Sequence, residues 1–174
     1  MVKESNKAVF FDRDGTLIKS LKKNGKPIAI RKIDDFKILI QAKKVCNYLL
    51  KKNYLIFIIT NQPDVEKKII RKTFVKKINL ILKNKLNIKK IYTCFCNSNC
   101  KYRKPNIGSI IKAKKRFNIN LKKSFVVGDR WRDIDLGIKA KCKTILIDKK
   151  YDEELNHIPN YKVKRLQDIL KLIP

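Results

Sequence analysis

Short apolar runs, each closed by a polar residue, alternate along this chain with longer segments in which apolar residues recur every three or four positions. Ala8-Val9-Phe10-Phe11 ends at Asp12, the pattern of a strand buried on both faces. Tyr54–Ile59 repeats it ahead of Thr60, and Ser124–Val127 repeats it ahead of Gly128-Asp129. Ile91–Phe95 and Thr144–Ile147 are shorter runs of the same kind. Between them, Ile38, Leu39, Ala42, Val45, Cys46, Leu49 and Leu50 recur at helical spacing, with Asp34 and Asp35 where an N-cap or first-turn carboxylate belongs. The spacing predicts further helices over Arg71–Leu86, Ile107–Phe117, Trp131–Ala140 and Leu166–Leu172. Asn24-Gly25 and Pro27 mark a loop after the first strand.

Strands alternating with helices imply βαβ units and an α/β fold: a doubly wound, mainly parallel sheet with helices on both faces. A length of 174 residues suits one domain, residues 1–174. Met1–Lys7 leads almost at once into the first strand, and no apolar run approaches the ~18 residues of a membrane span. The expectations are therefore no signal peptide, no membrane partner and a cytoplasmic location. Five cysteines, an odd number, fit reduced thiols or metal ligands better than a disulfide framework.

A formal charge of +29 raises the question of nucleic acid. The basic residues are spread evenly over both halves, with no basic arm, and Lys far outnumbers Arg. Lys, Asn and Ile are all abundant, as AT-rich codon usage alone would produce, and many lysines fall opposite the apolar stripe of a helix. No specific nucleic-acid partner is expected, and a monomer is. Small anionic substrates would still be attracted.

In doubly wound sheets ligands bind beyond the carboxyl ends of the strands. Three strands here deliver Asp12, Thr60 and Asp129 to that edge. Asp12-Arg13-Asp14-Gly15-Thr16 places two carboxylates in one turn, and Asp133 lies one helical turn beyond Asp129. Acids that converge in this way repel one another unless a cation sits among them, and an oxygen-rich site beside phosphate points to Mg²⁺. Arg103 and Lys104 supply the opposite charge, suited to phosphate oxygens.

The order Asp12-Arg-Asp-Gly-Thr, Thr60-Asn61-Gln62, Arg103-Lys104-Pro105 and Gly128-Asp129…Asp133 resembles the four motifs of the haloacid-dehalogenase superfamily of phosphatases. The Asp-Arg-Asp-Gly and Thr-Asn-Gln-Pro forms resemble its capless group, which contains heptose 1,7-bisphosphate and histidinol-phosphate phosphatases. The resemblance runs from about Ala8 to Asp148. It implies a Rossmann-like fold without a large cap, for which the stretches 16–34 and 60–104 leave no room. It implies a Mg²⁺-dependent phosphomonoesterase acting on a small phosphorylated sugar, most readily the 7-phosphate of heptose 1,7-bisphosphate. Asp12 would be the nucleophile and Asp14 the general acid and base. Mg²⁺ would be held by Asp12, the Asp14 main-chain carbonyl and Asp129. Thr60 and Lys104 would hold phosphoryl oxygens, and Asp133 would orient Lys104 or a water on the metal. Arg13, Asn61 and Arg103 are candidates for the rest of the substrate, with Arg103 the preferred contact for its second charged group. Trp131 and Arg132 are further candidates beside the site. Histidinol-phosphate phosphatase, a nucleic-acid 3′-phosphatase and a non-catalytic nucleic-acid-binding protein are the alternatives.

The group commonly carries a structural zinc just before Arg-Lys-Pro. Cys94, Cys96 and Cys100 match three ligand positions, whereas Tyr102 stands at the fourth and the loop is short. A three-thiolate Zn²⁺ and loss of the metal both stay open. His157 reads as a surface residue, and Cys46 and Cys142 as core. Lys141 stands where relatives often have Gly; a left-handed backbone there would cost about 1 kcal/mol.

Overall fold

A computed structural model describes residues 5–23 and 26–174. Its frame is a six-stranded parallel sheet built from β1 (Lys7–Phe11), β4 (Tyr54–Asn61), β5 (Lys90–Cys94), β6 (Phe125–Gly128), β7 (Lys143–Ile147) and β8 (Tyr161–Val163). The spatial order is β5-β4-β1-β6-β7-β8. The chain steps outward from β1 in one direction, returns to β6 on the other side of β1, and steps outward again. The crevice between β1 and β6 is thus the switch point at which such sheets bind ligands.

Alternating side chains bury both faces. Val9 and Phe11 of β1, Ile56 and Ile58 of β4, and Phe125 and Val127 of β6 face one core. They meet Ala42, Val45, Cys46 and Leu49 of α1 (Ile40–Lys51) and Ile78 and Leu82 of α2 (Lys72–Lys85), with Leu166 and Ile169 of a closing 3-10 turn, Leu166–Lys171. Ala8, Phe10, Phe57, Ile59 and Val126 point the other way. They pack on Ile110 and Ala113 of α3 (Gly108–Phe117) and Leu136 of α4 (Trp131–Lys139). Burying each of these larger side chains contributes roughly 1.5–3 kcal/mol. Among the described residues no helix is long and apolar enough to cross a membrane.

Three expectations need correction. Asp34 and Asp35 do not begin α1, whose N-cap is Leu39 and whose first turn holds no acid. Residues 38 and 39 are held extended against the loop after β1: Ile38 bridges Ile18, and the Leu39 amide donates to the Leu17 carbonyl at 3.0 Å. The loop expected around Pro27 is an antiparallel ribbon, β2 (Leu21–Lys23) with β3 (Lys26–Ile28); Asn24-Gly25 lies outside the described residues. The last segment is 3-10 rather than α-helical, and it follows an edge strand, β8, whose three residues carry too little pattern to announce themselves. Lys141 does adopt a left-handed backbone, φ 57°, as α4 ends. Cys46 and Cys142 are buried, and burial pushes both thiols up to about 12.

Candidate active site

β1 continues past Phe11 through the Asp12 amide, which donates to the Val127 carbonyl of β6 at 2.9 Å. That bond fixes Asp12 at the switch point beside Asp129. The chain then turns at Gly15, whose φ of 87° few other residues tolerate. A Cβ at Gly15 would lie 1.9 Å from Asp129 Oδ2, so the turn and the aspartate of β6 share one space. A Cβ at Gly128 would lie 2.3 Å from the Asp133 carboxylate. Both glycines are needed because acids approach the backbone this closely.

Lys104 Nζ, almost wholly buried, bridges Asp12 Oδ1 at 2.5 Å and Asp133 Oδ1 at 2.6 Å. Its loop is anchored by Asn61: the Lys104 amide donates to Asn61 Oδ1 at 3.0 Å, and Asn61 Nδ2 donates back to the Lys104 carbonyl at 3.2 Å. Thr60 Oγ1 accepts from Gln62 Nε2 at 2.9 Å, and the same nitrogen donates to Asp14 Oδ2 at 2.8 Å. Tyr151, from the loop after β7, donates its hydroxyl to Asp129 Oδ2 at 2.8 Å.

The acids outnumber the base that answers them. Asp12, Asp129 and Asp133 present oxygens within 4.8 Å of one another, against the single ammonium of Lys104. Burial raises the Asp12 carboxyl to about 6, with help from Asp133 and Asp14 and against the pull of Lys104. Burial, then Asp12 and Asp133, hold the Asp129 carboxyl well above the usual carboxylate range. Burial works against the Lys104 charge, but Asp12 and Asp133 outweigh it and raise its pKa. Asp129 Oδ1 is enclosed without a hydrogen-bond partner. A buried, unpartnered carboxylate oxygen beside a second excess acid is what a hard divalent cation would satisfy, so the donor set fits Mg²⁺.

Not every sequence candidate faces the cleft, which is lined by Asp12, Asp14, Thr60, Asn61, Lys104 and Asp133 together with Arg31, Arg130 and Arg132. Arg13 was expected at the substrate. It is instead buried beneath the loop, where it forks onto Asp14 at 2.9 and 3.2 Å and donates to Asn79 Oδ1 at 3.0 Å. From there it positions Asp14. Arg103, the preferred contact for a second charged group, donates to the Cys96 carbonyl at 2.5 Å and does not line the cleft. Asn61 lines the cleft, but its amide is engaged with the Lys104 backbone. Arg31, Arg130, Gln62 and Tyr151 were missed; nothing local in the sequence distinguishes a cleft arginine from a solvated one. His157 caps Asp135 at 2.9 Å.

Cys94, Cys96 and Cys100 converge, with sulfurs of Cys100 and Cys96 2.6 Å apart and those of Cys94 and Cys100 3.5 Å apart. No histidine or acid joins the cluster among the described residues. The Tyr102 ring packs against the Gly108 backbone and carries Lys101 Nζ 5.2 Å from its centroid.

Residues 7–156 match the family described as polynucleotide kinase 3 phosphatase. The chain is 32% identical over 169 residues to the D-glycero-alpha-D-manno-heptose-1,7-bisphosphate 7-phosphatase of Campylobacter jejuni, covering 94% of each chain. It is 30% identical over 185 residues to the D-glycero-beta-D-manno-heptose-1,7-bisphosphate 7-phosphatase of Pasteurella multocida, covering 96% of each. In structure it is similar to a D,D-heptose 1,7-bisphosphate phosphatase from B. bronchiseptica complexed with magnesium and phosphate, with a TM-score of 0.80 at 18% identity over 95% of this chain and 97% of that one. An aspartate-rich switch point and a match spanning most of the sequence lead to one conclusion: this chain is a phosphatase of the haloacid-dehalogenase superfamily and belongs to the polynucleotide kinase 3 phosphatase family.

Proposed function

We propose that the protein removes the 7-phosphate of D-glycero-D-manno-heptose 1,7-bisphosphate through an aspartyl-phosphate on Asp12. The observation that carries this reading is Lys104 Nζ bridging Asp12 and Asp133 beside the orphaned oxygen of Asp129. The relatives named above support the substrate.

A carboxylate oxygen of Asp12 forms the bond to phosphorus as the bond to the sugar oxygen breaks, and that oxygen takes a proton from Asp14. Asp14 then accepts a proton from water as the water attacks phosphorus, which breaks the Asp12–phosphorus bond and restores the carboxylate. Asp14 lines the cleft but is held by Arg13 and Gln62, so it must loosen one of these contacts to reach the leaving oxygen. Thr60 and Lys104 position the phosphoryl group; Asp133 keeps the ammonium aimed. Mg²⁺, held by Asp12, the Asp14 carbonyl and Asp129, would offset the mutual repulsion of carboxylate and phosphate.

Phosphate release from heptose 1,7-bisphosphate, histidinol phosphate and a 3′-phosphorylated oligonucleotide, measured side by side, tests the assignment. The heptose substrate should have the highest kcat/KM; a higher value for either of the others would overturn it.

The three converging thiols support a structural Zn²⁺ completed by a water, since soft sulfur ligands suit that ion. Elemental analysis should find about one zinc per chain. A zinc-free protein with an unchanged melting temperature would instead mean that the loop has lost its metal.

A further inference from the structure

The cleft, about 180 Å³, opens at the carboxyl edge of the sheet. Three arginines line it beyond the reacting aspartates, and they are not equivalent. Arg31 Nε is paired with Asp64 at 3.0 Å. Arg130 forks onto Glu153, with Nε 2.9 Å from Oε2. Arg132 has no carboxylate within ion-pair distance among the described residues, and its Nε is enclosed without a hydrogen-bond partner. The guanidinium lies over the Trp131 ring, 5.3 Å from its centroid, which keeps a flat face ordered at the cleft wall.

We propose that Arg132 is the specificity-determining residue of this phosphatase and receives the second phosphate of a bisphosphorylated sugar while the first reacts at Asp12. The inference rests on the reading of the cleft given above. A paired arginine must surrender a carboxylate before it can hold a phosphate, whereas Arg132 has none to surrender. Its backbone position favours the task as well. Arg132 immediately precedes Asp133, which bonds Lys104, so the first turn of α4 sets Arg132 beside the acid that aims the other anion-binding group. Burial and the neighbouring cations Arg130 and Arg103 lower the pKa of Arg132, and the carboxylates of Asp133 and Asp12, which act on it without an ion-pair contact, only partly offset them. A planar guanidinium can meet a phosphate with two parallel hydrogen bonds, a geometry that a lysine cannot reproduce.

Calorimetric binding to the non-turnover variant Asp12→Asn, with Mg²⁺ present, tests this with heptose 1,7-bisphosphate and heptose 7-phosphate as paired probes. The bisphosphate should bind at least about ten-fold tighter, and Arg132→Ala in that background should bring the two dissociation constants within about two-fold. Arg132→Gln, which keeps the stacked shape without the charge, should behave alike; Arg132→Lys should recover part of the preference. An undiminished preference in Arg132→Ala or Arg132→Gln overturns the inference, as does equal binding of the two sugars, or binding of neither, by Asp12→Asn itself. Turnover of heptose bisphosphate by the unaltered protein is read separately. Absence of turnover with an Arg132-dependent preference sinks the substrate assignment alone. Turnover with an Arg132-independent preference sinks this inference alone.

Discussion

At the scale of single residues, the site is a balance of charges that burial makes costly. Asp12 is 9% exposed and carries both the expected bond-forming oxygen and a contact to Lys104. Replacing it with Asn keeps the shape and removes the nucleophile, so kcat should fall by about 10³-fold or more. A phosphate-release assay that found ordinary turnover in Asp12→Asn would refute the covalent route. Gly15 permits a different prediction. A methyl there would enter the space of Asp129 Oδ2 on a backbone with φ 87°, so Gly15→Ala should cost about 1–3 kcal/mol of stability and most of the activity. Urea denaturation alongside kinetics checks both halves of that statement.

At the scale of elements, the reacting groups come from structures with little freedom. Asp12 extends the β1–β6 pairing, Thr60 lies one residue before the end of β4, and Asp129 and Asp133 flank the start of α4. Lys104 alone sits on a long connection, and the reciprocal bonds with Asn61 tie that connection to the end of β4. The end of α4 shows the opposite economy. Its left-handed residue is Lys141, although the neighbouring amide of Cys142 still closes the turn onto the Gly137 carbonyl at 2.9 Å. Lys141→Gly should therefore stabilise the protein by up to about 1 kcal/mol, visible as a higher urea midpoint with turnover unchanged. An unchanged or lower midpoint would show that the backbone strain is relieved elsewhere. Helices and central strands were legible in the sequence to within a residue or two, as α2 and α3 show, because each buries a regular face. The β2–β3 ribbon and β8 were not, because three-residue edge strands bury too little to impose a pattern.

At the scale of the molecule, the crowded acids link stability to pH. Asp12 and Asp129 bind protons more tightly in the folded chain than the ~3.9 of an unfolded aspartate. Between about pH 4 and pH 6 the metal-free folded state thus holds more protons than the unfolded one, and stability falls as pH rises through that window. Half-buried Asp148 and Asp168, whose pKa values are lowered by hydrogen bonds, act in the opposite sense, mainly at lower pH. Calorimetric scans without divalent ions should show Tm declining from about pH 4 to about pH 6.5, with Mg²⁺ reversing the loss near neutrality. A Tm that climbs across that interval without metal would contradict the charge balance described here.

The primary structure alone determined the parallel α/β frame, the four motifs and their order, and hence which acids meet, because strand burial and turn chemistry are local properties of neighbouring residues. It did not determine the fate of the arginines. Arg13 and Arg103 lie within motifs yet turn to Asp14 and to the Cys96 carbonyl, whereas Arg132 is left facing the cleft without an acid. A long flexible cation is directed by whichever carboxylates and carbonyls the folded chain brings near it. Those partners lie up to 66 residues away in the case of Arg13 and Asn79, so only the tertiary structure could decide which charge remained available.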